Sequence, residues 1–327
     1  MSGGPVRLAV VGPTATGKSE LALDLADALG AAGPSCEVVN ADASQLYRGM
    51  DIGTAKLPVA ERRGHPHHQI DVLEVVEEAS VAAYQRRARQ DLADIEDRGN
   101  RGLIVGGSGL YVRAVTDALD FPGTDPRLRE ELEERARSEG TARLVAELEG
   151  LDPAAAARIE PGDTRRVVRA LEVIRLTGRP FSASLPRYAD LVPTVHLALR
   201  TDRQALNHRI EVRAASMFAS GLLAEVEALA ARGLREGPTA SRAIGYVQAL
   251  SVLDGLMTTE EAVDSTAAAT RRLASRQLKW FRRDPRVHWL DVEVDASGQW
   301  LAGERERVVG EAVGLVARWD EGRDGVA

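Results

Sequence analysis

The residues with the plainest chemical purpose are Gly12-Pro13-Thr14-Ala15-Thr16-Gly17-Lys18-Ser19, which match the pattern GxxxxGK[ST] between an apolar run and a helical one. Glycines at this spacing let backbone N–H groups turn inward onto a polyphosphate, and the helix that follows adds the positive end of its dipole. Lys18 is placed to neutralise phosphate oxygens, and Ser19 to help hold Mg²⁺. An anionic phosphate ligand is therefore expected. Loops of this kind mostly hold ATP or GTP, in proteins that set an acid on a later strand to organise magnesium. Here the best later strand, LIVGG, ends in Gly106-Gly107-Ser108-Gly109-Leu110-Tyr111 with no acid. That counts against ordinary nucleotide hydrolysis. The glycines point either to close backbone approach to a ligand, with Ser108 donating a hydrogen bond, or to a plain tight turn.

Asp42, in Asn40-Ala41-Asp42-Ala43-Ser44-Gln45, falls just past the end of a short strand. There it could take a proton from a nucleophile approaching a bound phosphate ester, or cap the next turn. His65, His67 and His68 are interrupted by Pro66 and lack metal-ligand spacing, so a polar loop near the site is the expectation rather than a metal. Cys36 is the only cysteine, which excludes an internal disulfide and a thiolate zinc cluster. With a net charge of -7, no span of the length a bilayer needs and no secretory leader pattern, the chain reads as soluble and cytoplasmic.

Within this acidic chain two stretches are basic. Arg271, Arg272, Arg276, Lys279, Arg282, Arg283 and Arg286 fall in sixteen residues with Asp284 as the only acid. On a helix, Arg272, Arg276, Lys279 and Arg283 form a stripe beside an apolar side of Leu273, Trp280 and Phe281. Such a ridge suits a phosphate backbone. In Asp163-Thr164-Arg165-Arg166-Val167-Val168-Arg169, the aspartate reads as an N-cap, which puts three arginines where they oppose the helix dipole. That arrangement costs stability unless an anion sits nearby.

The elements that must position these groups alternate between strand and helix. Strands are expected at 6–11, 37–40, 103–105 and 195–199, and helices at 18–29, 203–231 and 260–283. This predicts an α/β fold with a parallel P-loop sheet wound by helices, its ligands beyond the strands' carboxyl ends. Between FPGTDP and RPFSASLP the pattern turns all-helical. We expect a catalytic core of residues 1–119 and 190–315, an all-helical insertion domain at 120–189, and a disordered tail at 316–327.

Taken together, the chain resembles the tRNA dimethylallyltransferase family, also called the tRNA isopentenyltransferases, over residues 6 to 290. The likeness lies in GPTATGKS, NADASQLYRGMDIGTAK (40–56), PHHQID (66–71), GGSGLY (106–111), DTRRVVRALEV (163–173), MFASGLLAEVEAL (217–229), SRAIGY (241–246) and RQLKWFR (276–282). It departs in having Ser108 where the family commonly has Thr, Ala43 and Ser44 after the aspartate, and Val247 for a basic residue. It resembles the bacterial form, without the zinc-finger extension of eukaryotic relatives.

The resemblance implies transfer of a dimethylallyl group from dimethylallyl diphosphate to N6 of tRNA adenosine 37, next to the anticodon, with release of pyrophosphate. It implies that Gly12 and Thr14 through Ser19 hold the donor diphosphate, with Ser19 on Mg²⁺, and that Asp42 is the general base. By similarity Ser108 and Arg242 stabilise the leaving oxygen and position the adenosine. Implied tRNA contacts are Asp42, Ala43, Ser44, Gln45, Ser108, Arg129, Arg165, Arg166, Arg169, Arg242, Gly245, Tyr246, Arg276, Gln277, Lys279, Trp280 and Arg282. The partners expected are the anticodon stem-loop of tRNA and the donor, with the protein a monomer off the membrane. An ATP-dependent small-molecule kinase shares the loop and the aspartate but leaves both basic stretches unexplained. A nucleotide-gated RNA-binding switch calls for a GTP signal such as NKxD, which is absent from the sequence.

Overall fold

The run Arg7–Val11 forms β1 and is buried along its whole length, as befits a strand covered on both faces of a parallel sheet. The computed structural model describes residues 4–184, 188–295 and 298–322. The chain divides into two units, Met1–Thr116 with Asp190–Ala327, and Asp117–Ala189.

In the first unit β1 is joined by β2 (Cys36–Asn40), β3 (His67–His68), β4 (Arg101–Gly106), β5 (Thr194–Arg200) and β6 (Val287–Asp291). The order is β3-β2-β4-β1-β5-β6, with every pair parallel. All carboxyl ends therefore lie along one edge. Val11 is in register with Gly106, and Asn40 with Val105, so the segments that follow β1, β2 and β4 leave the sheet side by side. Those segments are the phosphate loop, the Asp42 turn and the GGSG turn.

The helices in chain order are α1 (Lys18–Ala32), α2 (Val81–Asp97), α3 (Gly109–Thr116), α4 (Pro126–Ser138), α5 (Thr141–Leu151), α6 (Pro153–Ala156) and α7 (Thr164–Thr177). After β5 come α8 (Arg203–Ala219), α9 (Leu222–Ala230), α10 (Tyr246–Leu253), α11 (Thr259–Phe281) and α12 (Glu304–Asp320). The single helix expected over 203–231 is in fact α8 and α9, broken where Gly221 takes φ 100. A side chain is strained at that angle and glycine is not. Thr258 and Glu261 close a reciprocal capping box at the start of α11.

Leu21 and Leu25 of α1 pack with Val308, Ala312 and Val316 of α12 over Leu8 and Leu197 of the sheet. Full burial of side chains this size stabilises the fold by roughly 1.5–3 kcal/mol each. This corrects the expectation of a disordered tail from 316, because Val316 is core and the helix runs to Asp320. Residues 323–327 lie outside the described residues. β6 and α12 were not anticipated, and His67 and His68 form a short edge strand on β2 where a polar loop was expected.

The second unit carries α4 to α7 around Leu132, Leu144, Leu148, Val167 and Leu171. Asp125, Asp152 and Asp163 cap α4, α6 and α7, the first accepting two backbone N–H groups of its helix and the others one each, and proline follows the first two.

Candidate active site

The phosphate loop is held in a shape that leaves the start of α1 open. Gly12 and Gly17 take φ 117 and 95, and Gly17, the N-cap, offers no side chain to the first N–H groups of α1. Ala15 also takes a positive φ, 63, a conformation an alanine adopts only when its surroundings impose it. Thr16 Oγ1 and Lys18 Nζ both donate to the carbonyl of Pro13, which ties the loop to itself.

Each glycine of the second turn is required by a protein neighbour. A Cβ on Gly106 would stand 2.3 Å from the Ala41 backbone, one on Gly107 2.4 Å from Gln277 Nε2, and one on Gly109 2.2 Å from the Trp280 indole. The close approach expected here is thus to protein. Ser108 Oγ accepts the N–H of Ala43 at 3.3 Å, which leaves its O–H free to donate.

Asp42 is fixed by a small network. Asn40 Oδ1 accepts the Asp42 N–H, and Asn40 Nδ2 donates to the carbonyls of Asp42 and Gln69. Asp42 Oδ1 accepts the Ser44 N–H at 2.9 Å, so the capping alternative is realised with one oxygen. Oδ2 has no hydrogen-bond partner among the described residues.

Two cavities meet at this carboxylate. The larger, of about 730 Å³, is lined by Thr14, Lys18, Ser19, Asp42, Gln45, Gly106 and Gly107 and by Arg209 and Arg213 of α8. The smaller, of about 260 Å³, is lined by Ser44, Arg242, Ala243, Ile244 and Thr270. Thr14, Asp42, Thr54, Arg213 and Met217 line both. Burial pushes Lys18 down to about 8; Asp42 opposes that shift and Arg213 adds to it. Burial also holds Arg213 below the ordinary arginine value, again opposed by Asp42. Lys18, Arg213 and Asp42 therefore form one electrostatic cluster with a surplus of positive charge, the condition for binding a phosphate ester beside a general base.

Several expected site residues are placed differently. Arg242 lines the smaller cavity only, where Thr14 is the phosphate-loop residue beside it; the cation on the shared wall is Arg213, which sequence reasoning missed. The glycine and tyrosine of SRAIGY are interior. The Gly245 N–H is taken by Gln248 Oε1, and Tyr246 is fully buried with its hydroxyl donating to Glu225. Glu225 also accepts the N–H groups of Asp51, Ile52 and Gly53, clamping the segment that follows Asp42. Gln277, expected on tRNA, is buried, and its amide joins Gly107 O to Thr14 N. The Thr14 N–H is therefore spent. Gln45 donates to Thr54 O.

The basic ridge on α11 is real as a surface. Arg272, Arg276 and Lys279 of the helix and Arg282 and Arg283 just past its end are exposed with no ion pair among the described residues, whereas Arg271 pairs with Glu211 and Arg286 with Asp284 and Asp190. In the second unit the dipole cost foreseen for α7 is met largely by protein carboxylates. Arg169 and Arg129 both reach Glu172, whose side chain is 0% exposed, and Arg166 lies 3.4 Å from Asp163. Arg165 alone of the three is exposed with no partner among the described residues.

An α/β sheet carrying a phosphate loop, with a carboxylate between two cavities, defines a phosphate-ester-binding catalytic fold. The model of the family IPP transferase matches residues 45–284. The tRNA dimethylallyltransferase of Kocuria rhizophila is 57% identical over 285 residues, covering 87% of this chain and 89% of that one. That of Mycobacterium tuberculosis is 53% identical over 312 residues, covering 94% and 98%. The full-length tRNA isopentenylpyrophosphate transferase of Bacillus halodurans superposes with a TM-score of 0.69 at 38% identity, covering 98% of each chain. The chain belongs to the tRNA dimethylallyltransferase (IPP transferase) family.

Proposed function

We infer that the protein transfers a dimethylallyl group to adenosine 37 of tRNA, taking it from dimethylallyl diphosphate and delivering it to N6 with release of pyrophosphate. The observation that carries this reading is Asp42, which lines both a phosphate-loop cavity and a second cavity lined by Arg242, and whose Oδ2 has no hydrogen-bond partner among the described residues. The diphosphate rests on the N–H groups opening α1. Lys18 and Arg213 oppose the charge that builds on the leaving oxygen as the allylic C–O bond breaks. The adenine amine is a poor nucleophile because its lone pair is delocalised into the ring. Asp42 takes the N6 proton as the new C–N bond forms. Adenosine 37 lies in a loop, where swinging a base out costs less than in a duplex.

Mg²⁺ fits as an ion carried mainly by the ligand. Ser19 presents an exposed hydroxyl at the cavity wall, and among the described residues no three His, Cys, Asp or Glu side chains converge on a metal. Bound there, the ion spreads the charge of the diphosphate. The unpaired cations of α11, and Arg165 in the second unit, supply phosphate-backbone contacts. Among the described residues no helix is long and apolar enough to cross a membrane. We expect a cytoplasmic monomer.

The test is to incubate the protein with Mg²⁺, unmodified tRNA whose anticodon ends in A, and either dimethylallyl diphosphate or ATP, then digest the RNA and weigh its nucleosides. Adenosine heavier by one dimethylallyl group, only with the isoprenoid donor, is the expected result. Unmodified adenosine with ATP consumed would return the phosphate loop to a nucleotide and the protein to the kinases.

A further inference from the structure

Arg209 sits one turn before Arg213 on α8 and lines the larger cavity, but not the smaller one. Its Nη1 is buried without a hydrogen-bond partner. Glu20 is the acid whose charge reaches it, yet no hydrogen bond joins them. A guanidinium normally satisfies its donors, and a buried N–H left open beside a cavity is costly unless a ligand fills it. The side chain is also held in place. Gly298 (φ 78) lies so near that a Cβ there would stand 2.5 Å from Arg209 Cγ and 2.9 Å from Cδ. Two residues on, Trp300 packs on Gly17, the N-cap of α1, where an added Cβ would lie 3.2 Å from the indole. The segment Gly298–Trp300 therefore touches both the phosphate loop and the arginine, and Gln299 between them lines the same cavity.

We propose that Arg209, aimed by the Gly298–Trp300 segment, is a positioning residue that grips the terminal phosphate of the donor, while Arg213 serves the phosphate oxygen next to the breaking bond. The assignment follows from which cavities each arginine lines. Arg213 shares its wall with Asp42 at the junction, and Arg209 lies away from it beside the start of α1. This rests on the donor reading above. An interaction with the terminal phosphate is present before and during bond breaking, so it acts mainly on donor affinity rather than on kcat.

Arg209→Gln, with Arg209→Lys and Gly298→Ala beside it, is tested by transfer to tRNA at varied dimethylallyl diphosphate. Competition by pyrophosphate and by dimethylallyl monophosphate completes the set. For Arg209→Gln we expect the donor KM and the pyrophosphate inhibition constant to rise roughly tenfold to a hundredfold, with kcat within about threefold. The monophosphate, which lacks the group Arg209 holds, should inhibit as it does the wild type. Arg209→Lys should recover part of the loss. Gly298→Ala should reproduce it with the charge intact, because the methyl displaces the arginine stem. An unchanged KM, or equal weakening of pyrophosphate and monophosphate, would overturn the assignment while wild-type transfer left the donor reading standing. Wild-type protein without transfer would sink both. tRNA affinity and thermal melting of each variant distinguish a local loss from a misfolded chain.

Discussion

Gln277 and Thr14 lie 263 positions apart in the chain and are joined by a 2.9 Å hydrogen bond from the Thr14 backbone N–H to Gln277 Oε1. The other half of the same amide donates to Gly107 O at 3.0 Å. One side chain of α11 thus pins the phosphate loop to the turn after β4, on the helix that also carries the unpaired basic ridge. Gln277→Leu leaves a buried N–H and a buried carbonyl without partners, which should cost about 1–3 kcal/mol in urea unfolding. It should raise the donor KM through the loosened loop and leave tRNA affinity within about twofold. The reverse pattern, weakened tRNA with normal donor binding, would mean that Gln277 touches RNA.

Asp42→Asn keeps the oxygen that caps Ser44 and removes the proton acceptor. Fold and tRNA affinity should survive, while single-turnover transfer falls by roughly 10²- to 10⁴-fold, the range of a lost general base. Turnover within a few-fold of wild type would show that the N6 proton leaves by another route.

Lys18 is held down at about 8 against an ordinary 10.5. A diphosphate prefers the charged lysine, so donor binding by the free protein should be full below pH 8 and weaken as pH rises through it. Above that point kcat/KM for the donor should fall toward tenfold per pH unit. Lys18→Arg, charged throughout, should flatten that limb. The sign for stability is opposite. Between pH 8 and 10.5 the unfolded chain binds the proton that the folded chain has lost, so Lys18 makes the free protein more stable as pH rises there. Saturating pyrophosphate should reduce that rise by restoring the proton in the fold. A donor KM independent of pH from 7 to 9.5 would place the cation that meets the diphosphate elsewhere.

What was legible in the sequence was whatever local chemistry dictates. The phosphate loop, Asp42 and the GGSG turn could be read because each closes an apolar strand with residues of special backbone freedom, and a parallel sheet then sets them together. Arg209 and Arg213 could not, since RIEVRAAS reads as one more charged helix. Which face of α8 meets the loop is decided by packing far away in sequence. Tyr246 and Gln277 were misplaced for the related reason that a motif marks a segment without saying which of its side chains point inward. Gly53 holds the clue to Tyr246, because a Cβ there would stand 2.5 Å from the tyrosine ring. Strand β6 was lost because it is an edge strand, only partly buried at His288 and Trp289.

The two basic stretches, alike as sequence, should respond differently to mutation. Arg276 is exposed with no ion pair among the described residues, so its charge is available to a phosphate. Arg276→Glu should weaken tRNA binding across tRNAs and lower the slope of log affinity against log salt by about 1 or more, one phosphate contact's worth of released counterions. Arg169 is instead bound to Glu172 and to the carbonyls of Pro122 and Gly123. Arg169→Ala leaves a fully buried carboxylate with Arg129 as its remaining cation. It should destabilise the helical unit by about 1–3 kcal/mol in chemical unfolding and leave the salt slope unchanged. Were Arg169→Ala to reduce the slope as Arg276→Glu does, at unchanged stability, its pairing with Glu172 would have to give way when tRNA binds. The carboxylate would then be a placeholder for the RNA phosphate rather than the arginine's permanent partner.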